Sequence, residues 1–325
     1  MQSIPWTGTR AVLLIHGVGN AKVGDYVDLV GQIERVLGPA SAESVVYTFY
    51  YDQVNDWFAD KQQAGLLVGS FLQSMRSLLA TVQLDVSDPV SLGNSIADLV
   101  GDVVWPVLLA DARNAVKSTL IEQLFQIVED AGTAGVPPRQ MELSVVAHSM
   151  GCFHLYETLQ TIAEDTSLGL GPVSGGLQLA NVIYMASPVQ LIRSVMERIA
   201  VLVPQKESIR SLSKPLAIPV QSSVEESRPL ARHTAAITGN LDPVGGHFFR
   251  AEPAWAFMNM AGQDTIIDQQ QLASVNGSEA LDLTEVLHTA LRDRSAPVIT
   301  PNNPHSWSEY VRRHEADLRT WLVPA

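Results

Sequence analysis

The sequence predicts an α/β fold, with a mostly parallel central sheet and helices on both of its faces. Three observations lead there. Five short, continuous apolar runs rich in β-branched and aromatic residues punctuate the chain. Unbroken runs of that kind suit strands buried on both faces. The segments between them are long enough to hold a crossover helix, as parallel strands require. Hydrophobic residues make up 46% of the chain and charged residues 17%, enough apolar material for such a doubly covered sheet.

Taken in order, the first strand is expected over residues 11–15 (AVLLI), ending in His16-Gly17. The second is expected over 44–50 (SVVYTFY), the third over 143–147 (LSVVA), the fourth over 181–186 (NVIYMA) and the fifth over 234–238 (TAAIT). The stretch 56–131 breaks this rhythm. It holds no strand-like run, and Trp57, Leu67, Phe71, Met75, Leu78 and Val82 recur at roughly helical spacing. A second part, 91–128, is interrupted at Trp105-Pro106. Its place between two strands suggests a helical cap, with ordinary packing helices as the alternative. Residues 191–228 read as a helix followed by loop, and 248–291 as a second, irregular insertion with helical patches. The whole of 1–325 is expected to form one domain carrying these two insertions.

Composition narrows the function. The formal net charge of −13 gives no basic footprint for a phosphate backbone and repels an anionic membrane surface. Nucleic acid is therefore not expected as a partner, whereas a neutral or apolar small molecule is unaffected. Cys152 is the only cysteine, so no disulfide can form within the chain and a cysteine-based metal site is not expected. The first residues run almost directly into a strand and lack the pattern of a secretory signal. The apolar stretch 96–110 is interrupted by Asp98 and Asp102 and is too short to span a bilayer. The expectation is a cytoplasmic protein without stable membrane insertion. No His-x-x-x-His pair or carboxylate–histidine cluster of ligand spacing is present, so neither a metal nor another cofactor is expected. Composition leaves the oligomeric state open.

The strongest local signal is Ala147-His148-Ser149-Met150-Gly151, between an apolar run and a helical pattern. A serine on so sharp a strand-to-helix turn needs small residues two before and two after it. That turn lifts the hydroxyl clear of the sheet. It also aims the following amide, at a helix N-terminus, toward a reacting oxygen.

With Ala in place of the first Gly of a G-x-S-x-G elbow, AHSMG resembles the α/β-hydrolase superfamily, and more narrowly bacterial lipases and esterases. The resemblance covers the strand framework from residue 11 to about 190, and the later loops more loosely. It implies a serine hydrolase of carboxylic esters, acting on small-molecule or lipid esters. One oxyanion donor would be the amide of Val18, after His16-Gly17, and the other that of Met150. Gly17 and Gly19 would let backbone amides face inward, with His16 holding the loop.

The resemblance further implies the chain order serine, acid, histidine. Asp242 stands in a turn after the fifth predicted strand, at the end of the sheet where catalytic groups collect; Asp264, Asp268 and Asp282 are substitutes. Among the histidines, His148 belongs to the elbow, His154 to the helix behind it and His233 to the start of the fifth strand. His314 lies among charges and is expected to be exposed. His305, in a Pro- and Asn-rich loop before the last helix, is the expected base, with His288 and His247 as alternatives. Trp307 and Tyr310 are placed to pack around its ring. The 63 positions from Asp242 to His305 are more than compact relatives carry, which the 248–291 insertion would explain. Two further readings share these residues: an acyltransferase or thioesterase, and a non-catalytic binding protein on the same fold.

Overall fold

A computed structural model describes residues 6–17, 23–51, 110–172, 175–187, 229–238, 265–268 and 306–323. Six strands form one sheet: β1 (Arg10–Ile15), β2 (Ser44–Phe49), β3 (Glu142–His148), β4 (Leu179–Met185), β5 (Ala231–Thr238) and β6 (Thr265–Asp268). Their spatial order is β2-β1-β3-β4-β5-β6. The first five run parallel and β6 pairs antiparallel with β5.

The central strands are apolar without alternation because they have no solvent face. In β1, Ala11 through Ile15 are fully buried, and their side chains divide strictly by parity. Ala11, Leu13 and Ile15 join one core cluster, and Val12 and Leu14 the other. β2, last in order on its side, alternates instead: Val45, Tyr47 and Phe49 are buried, whereas Ser44, Val46 and Thr48 are half-buried.

Among the described residues five α-helices cover these faces. α1 (Val23–Leu37) buries Tyr26, Leu29, Ile33 and Val36, a stripe at helical spacing. It shares one face with α4 (Trp307–Arg313) and α5 (Glu315–Leu322). On the opposite face lie α2 (Ala110–Thr133), with Val116, Leu120, Leu124, Ile127 and Ala131 inward, and α3 (Met150–Glu164). The last part of the predicted cap is therefore a sheet-packing helix: the packing alternative holds for 110–131. Residues 56–109, the rest of that insertion, lie outside the described residues, as do 191–228.

All five predicted strands form, each with ends shifted by no more than three residues from the expected ones. The sixth was not foreseen. It lies inside 248–291, where only irregular chain with helical patches is expected, and its four residues, TIID, are too short to stand out from such a segment.

One feature of the winding positions the site. From β1 the chain passes through α1 to β2 on one side, then returns through α2 to β3 on the other. The winding reverses between β1 and β3, and at such a switch point the loops leaving adjacent strands diverge and open a crevice beyond their carboxyl ends.

Candidate active site at the carboxyl edge of the sheet

Ser149 stands at that switch point. It directly follows β3 and directly precedes α3, with φ 53° and ψ −129°. Such a conformation costs a non-glycine residue on the order of 1–3 kcal/mol and persists only where its surroundings enforce it. Here the Ser149 N–H donates to the Met185 carbonyl at the end of β4 (3.0 Å), and the Ser149 carbonyl accepts from Cys152 N–H (2.9 Å) as the helix begins. Backbone bonds on both sides thus lock the turn. Ala186, next after Met185, is the second non-glycine residue with positive φ (52°), and its N–H donates to the Ile237 carbonyl (3.0 Å). Nothing in an Ala-Ser-Pro sequence signals that strain.

The small residues around the serine have separate reasons. A Cβ on Gly151 would stand 2.5 Å from the Ile15 carbonyl oxygen and 2.8 Å from that of His16. The first turn of α3 thus runs directly under the exit of β1. Ala147 is fully buried in the β3 core. A Cβ on Gly17 would stand 2.9 Å from Ser149 Oγ and 3.1 Å from the His148 carbonyl. The backbone leaving β1 therefore lies against the serine side chain, as an oxyanion loop would need. Met150 opens α3, so its N–H is among the first-turn donors that lack a helical acceptor.

His16 serves this loop: its Nδ1 lies 2.7 Å from the Gly17 carbonyl. A carbonyl only accepts, so Nδ1 carries the proton. The His16 ring lies 5.6 Å from that of His148 and 6.2 Å from Trp307, while His148 faces Trp307 at 5.9 Å and Tyr310 at 5.8 Å. Tyr26 extends the group, 6.2 Å from His16 and 5.2 Å from Tyr50. Trp307 and Tyr310, expected around His305, thus pack on His148, with Trp307 touching His16 as well. They bring the amino end of α4 to the edge where Ser149 stands. Sequence reasoning passed over Tyr26 and Tyr50, since aromatics at helix and strand positions read as core.

Val18, Gly19, Asp242 and His305 lie outside the described residues, as do the alternatives His247, His288, Asp264 and Asp282; of Asp268 only the backbone, in β6, is described. β5 reaches Thr238 at its carboxyl end, and Ser306, before α4, accepts from Glu309 N–H through its hydroxyl and caps that helix.

The remaining described histidines are accounted for elsewhere. His154 is buried against Tyr51 (4.7 Å between rings) and Phe153. Burial, reinforced by the Arg113 cation, lowers its pKa to about 3, so it is neutral at ordinary pH. His233 pairs in register with Asn181 near the beginning of β5 and faces Trp321, at the opposite edge of the sheet from Ser149. His314, expected to be exposed, is 7% exposed and sits 3.3 Å from an Asp317 carboxylate oxygen. The charges around it in sequence fall on the outer face of the helices, while the histidine itself lies at the α4–α5 junction. Cys152 is fully buried, its Sγ 3.4 Å from the Ala147 and Met185 carbonyls, and burial pushes its thiol far up. It is inert as a nucleophile.

Among the described residues no group of three or more His, Cys, Asp or Glu is gathered as a metal ion would require, and no described helix is long and apolar enough to cross a membrane. Comparisons with models of protein families, with curated proteins and with solved structures found no match.

Proposed function

We propose that the protein is a serine hydrolase of carboxylic esters, an esterase or lipase on an α/β-hydrolase fold, with Ser149 as its nucleophile. The observation that carries this reading is the positive φ of Ser149 between a fully buried parallel strand and the first turn of a helix. Strain on a serine at a switch point, with the Gly17 backbone against its hydroxyl and the residue only 7% exposed, is what a nucleophile fixed on a tight elbow demands. The base is His305 and the acid Asp242. Support for His305 comes from Trp307, two positions later, lying on His16 and His148 beside the serine. Support for Asp242 comes from its position four residues beyond Thr238, where β5 ends on the same edge.

In the proposed reaction His305 accepts the Ser149 Oγ proton as the oxygen attacks the ester carbonyl. The carbonyl π pair moves onto the oxygen, which the Val18 and Met150 amides receive. As the C–O bond breaks, His305 returns the proton to the leaving alcohol. Water, deprotonated by the same histidine, then attacks the acyl carbonyl; as the bond to Ser149 Oγ breaks, the histidine returns that proton to Oγ, which releases the acid and free Ser149. Asp242 holds the imidazole tautomer and stabilises its cation.

The test compares hydrolysis of a short and a long p-nitrophenyl ester by wild type and Ser149→Ala, with labelling by a fluorophosphonate read by peptide mass. Turnover lost in the variant, with the label on Ser149, is the expected outcome, and the chain-length ratio separates esterase from lipase. Absence of both turnover and label in the wild type overturns the reading. A label on Ser149 without turnover redirects it to an acyltransferase with its own acceptor.

A further inference from the structure

The opposite edge of the sheet carries a second concave feature. Where β1, β3, β4 and β5 begin, the strand ends and the last turn of α5 line an open cleft of about 270 Å³. It lies the length of β3 from Ser149, about 20 Å at strand rise. Arg10, Glu142, Arg232, His233, Trp321 and Leu322 are among the residues that line it.

The charges there do not cancel. Arg10 Nη2 is 3.6 Å and Arg232 Nη2 3.9 Å from the two carboxylate oxygens of Glu142. Both separations exceed a hydrogen bond. Two guanidinium groups therefore share one carboxylate loosely, and the described lining carries a formal charge of +1 with His233 neutral. The chain as a whole has the opposite sign, with a net charge of −13. The lining also brings together the His233 and Trp321 rings, whose centroids lie 5.6 Å apart.

The floor holds its shape. Asn181 Nδ2 donates to Ser144 Oγ and to the Trp321 carbonyl, both at 2.8 Å, so the end of α5 is pinned to β3 and β4. A preformed cleft with a few polar groups converging on an apolar wall is the ordinary form of a small-ligand site. At about 270 Å³ it falls just under the roughly 300–1,000 Å³ of sites for drug-sized molecules.

We infer that this cleft binds a small organic monocarboxylate, its carboxylate on the half-exposed Arg232 guanidinium beside the Arg10–Glu142 pair and its apolar body against Trp321 and Leu322. The planar guanidinium fork matches a carboxylate in geometry as well as charge. This inference is independent of the reaction proposed for Ser149.

The experiment is a ligand-observed NMR titration of the full chain with benzoate, with benzamide as the uncharged control. Two single variants are expected to move the affinity in opposite directions. Arg232→Gln leaves Arg10 and Glu142 to cancel each other and weakens benzoate binding about tenfold. Glu142→Gln frees both guanidinium groups and tightens it. Arg232 is largely exposed, so its replacement leaves the fold standing, which an unchanged thermal midpoint checks. Saturable benzoate binding with these opposite shifts, and none with benzamide, supports the site. No saturable binding, equal binding of benzamide, or an affinity unmoved by Arg232→Gln overturns it.

Discussion

β3 begins at Glu142, where a carboxylate lies between two arginines at separations too long for hydrogen bonds. This seven-residue strand ends at His148, and there the chain turns through Ser149 with a backbone conformation that serine rarely adopts. Both non-glycine residues with positive φ among the described residues, Ser149 and Ala186, lie at this carboxyl edge. So do Gly17 and Gly151, two of the four described glycines at which a Cβ would fall under 3.0 Å from a neighbouring atom; the other two, Gly8 and Gly176, lie away from the site. One strand thus has an amino end that interacts through charge and a carboxyl end shaped by backbone constraint. Strain gathers where the fold must hold one hydroxyl in one place, whereas an electrostatic cleft tolerates loose geometry.

The largest expected effect at the carboxyl edge is on turnover. Ser149→Ala should lower ester hydrolysis by about 10³-fold or more, because nucleophile and base act as a unit, and leave folding nearly untouched. A variant that keeps even a tenth of wild-type turnover would transfer the chemistry to another residue and break the comparison at its root.

Gly151→Ala comes next, and its effect is on stability. The new methyl group meets two backbone carbonyls of β1, which cannot swing away as a side-chain tip could. Overpacking of this sort costs about 1–3 kcal/mol or more, read as a lower denaturant midpoint, with any surviving activity reduced because the elbow must shift. If Gly151→Ala unfolds like wild type, the close approach of α3 to β1 is not a constraint.

His154 supplies a pH signature. Its folded pKa, about 3, lies below the 6.5 of a free histidine. Between these values the unfolded chain takes up a proton that the folded one refuses, so stability falls as pH drops through 6.5 toward 3. The slope attributable to it is up to about 1.4 kcal/mol per pH unit. Replacing it with Phe, which retains an aromatic ring against Tyr51, should flatten that slope between pH 6 and 4. Equal slopes in the two proteins would mean that His154 is not held neutral by the fold.

Much of this framework was legible in the residues, for a physical reason. A strand such as Ala11 to Ile15, buried on both faces, has to be apolar throughout, and that requirement shows in a single sequence. β6 was not legible because four residues at the end of a sheet carry no period. The burial of His314 was hidden because its neighbours Arg313 and Glu315 announce a solvated helix, while only tertiary packing decides which residue turns inward. Ser149 could be found because an elbow needs small residues at fixed offsets. Strand order is not written in any local pattern, so the switch point, and with it the alignment of the β1 exit with the serine, had to come from the fold. The same holds for Trp307 and Tyr310 on His148, a contact between segments more than 150 residues apart.

The smallest expected effect sharpens the contrast between the two ends of β3. Ser149→Gly removes the Cβ that makes φ 53° costly. Removing that strain should raise stability by about 1 kcal/mol while abolishing turnover. Ser144→Gly, five residues earlier on the same strand, has the opposite sign. Ser144 has no such strain to release, its hydroxyl accepts from the buried Asn181 amide, and glycine is unfavourable inside a strand. A loss of about 1 kcal/mol or somewhat more follows, since the amide loses an acceptor and the chain gains unfolded-state freedom. Paired denaturant curves for the two variants measure this directly. Opposite signs would locate the stored strain at the carboxyl end of β3, and a loss in both would mean that the elbow is no more strained than the strand that leads into it.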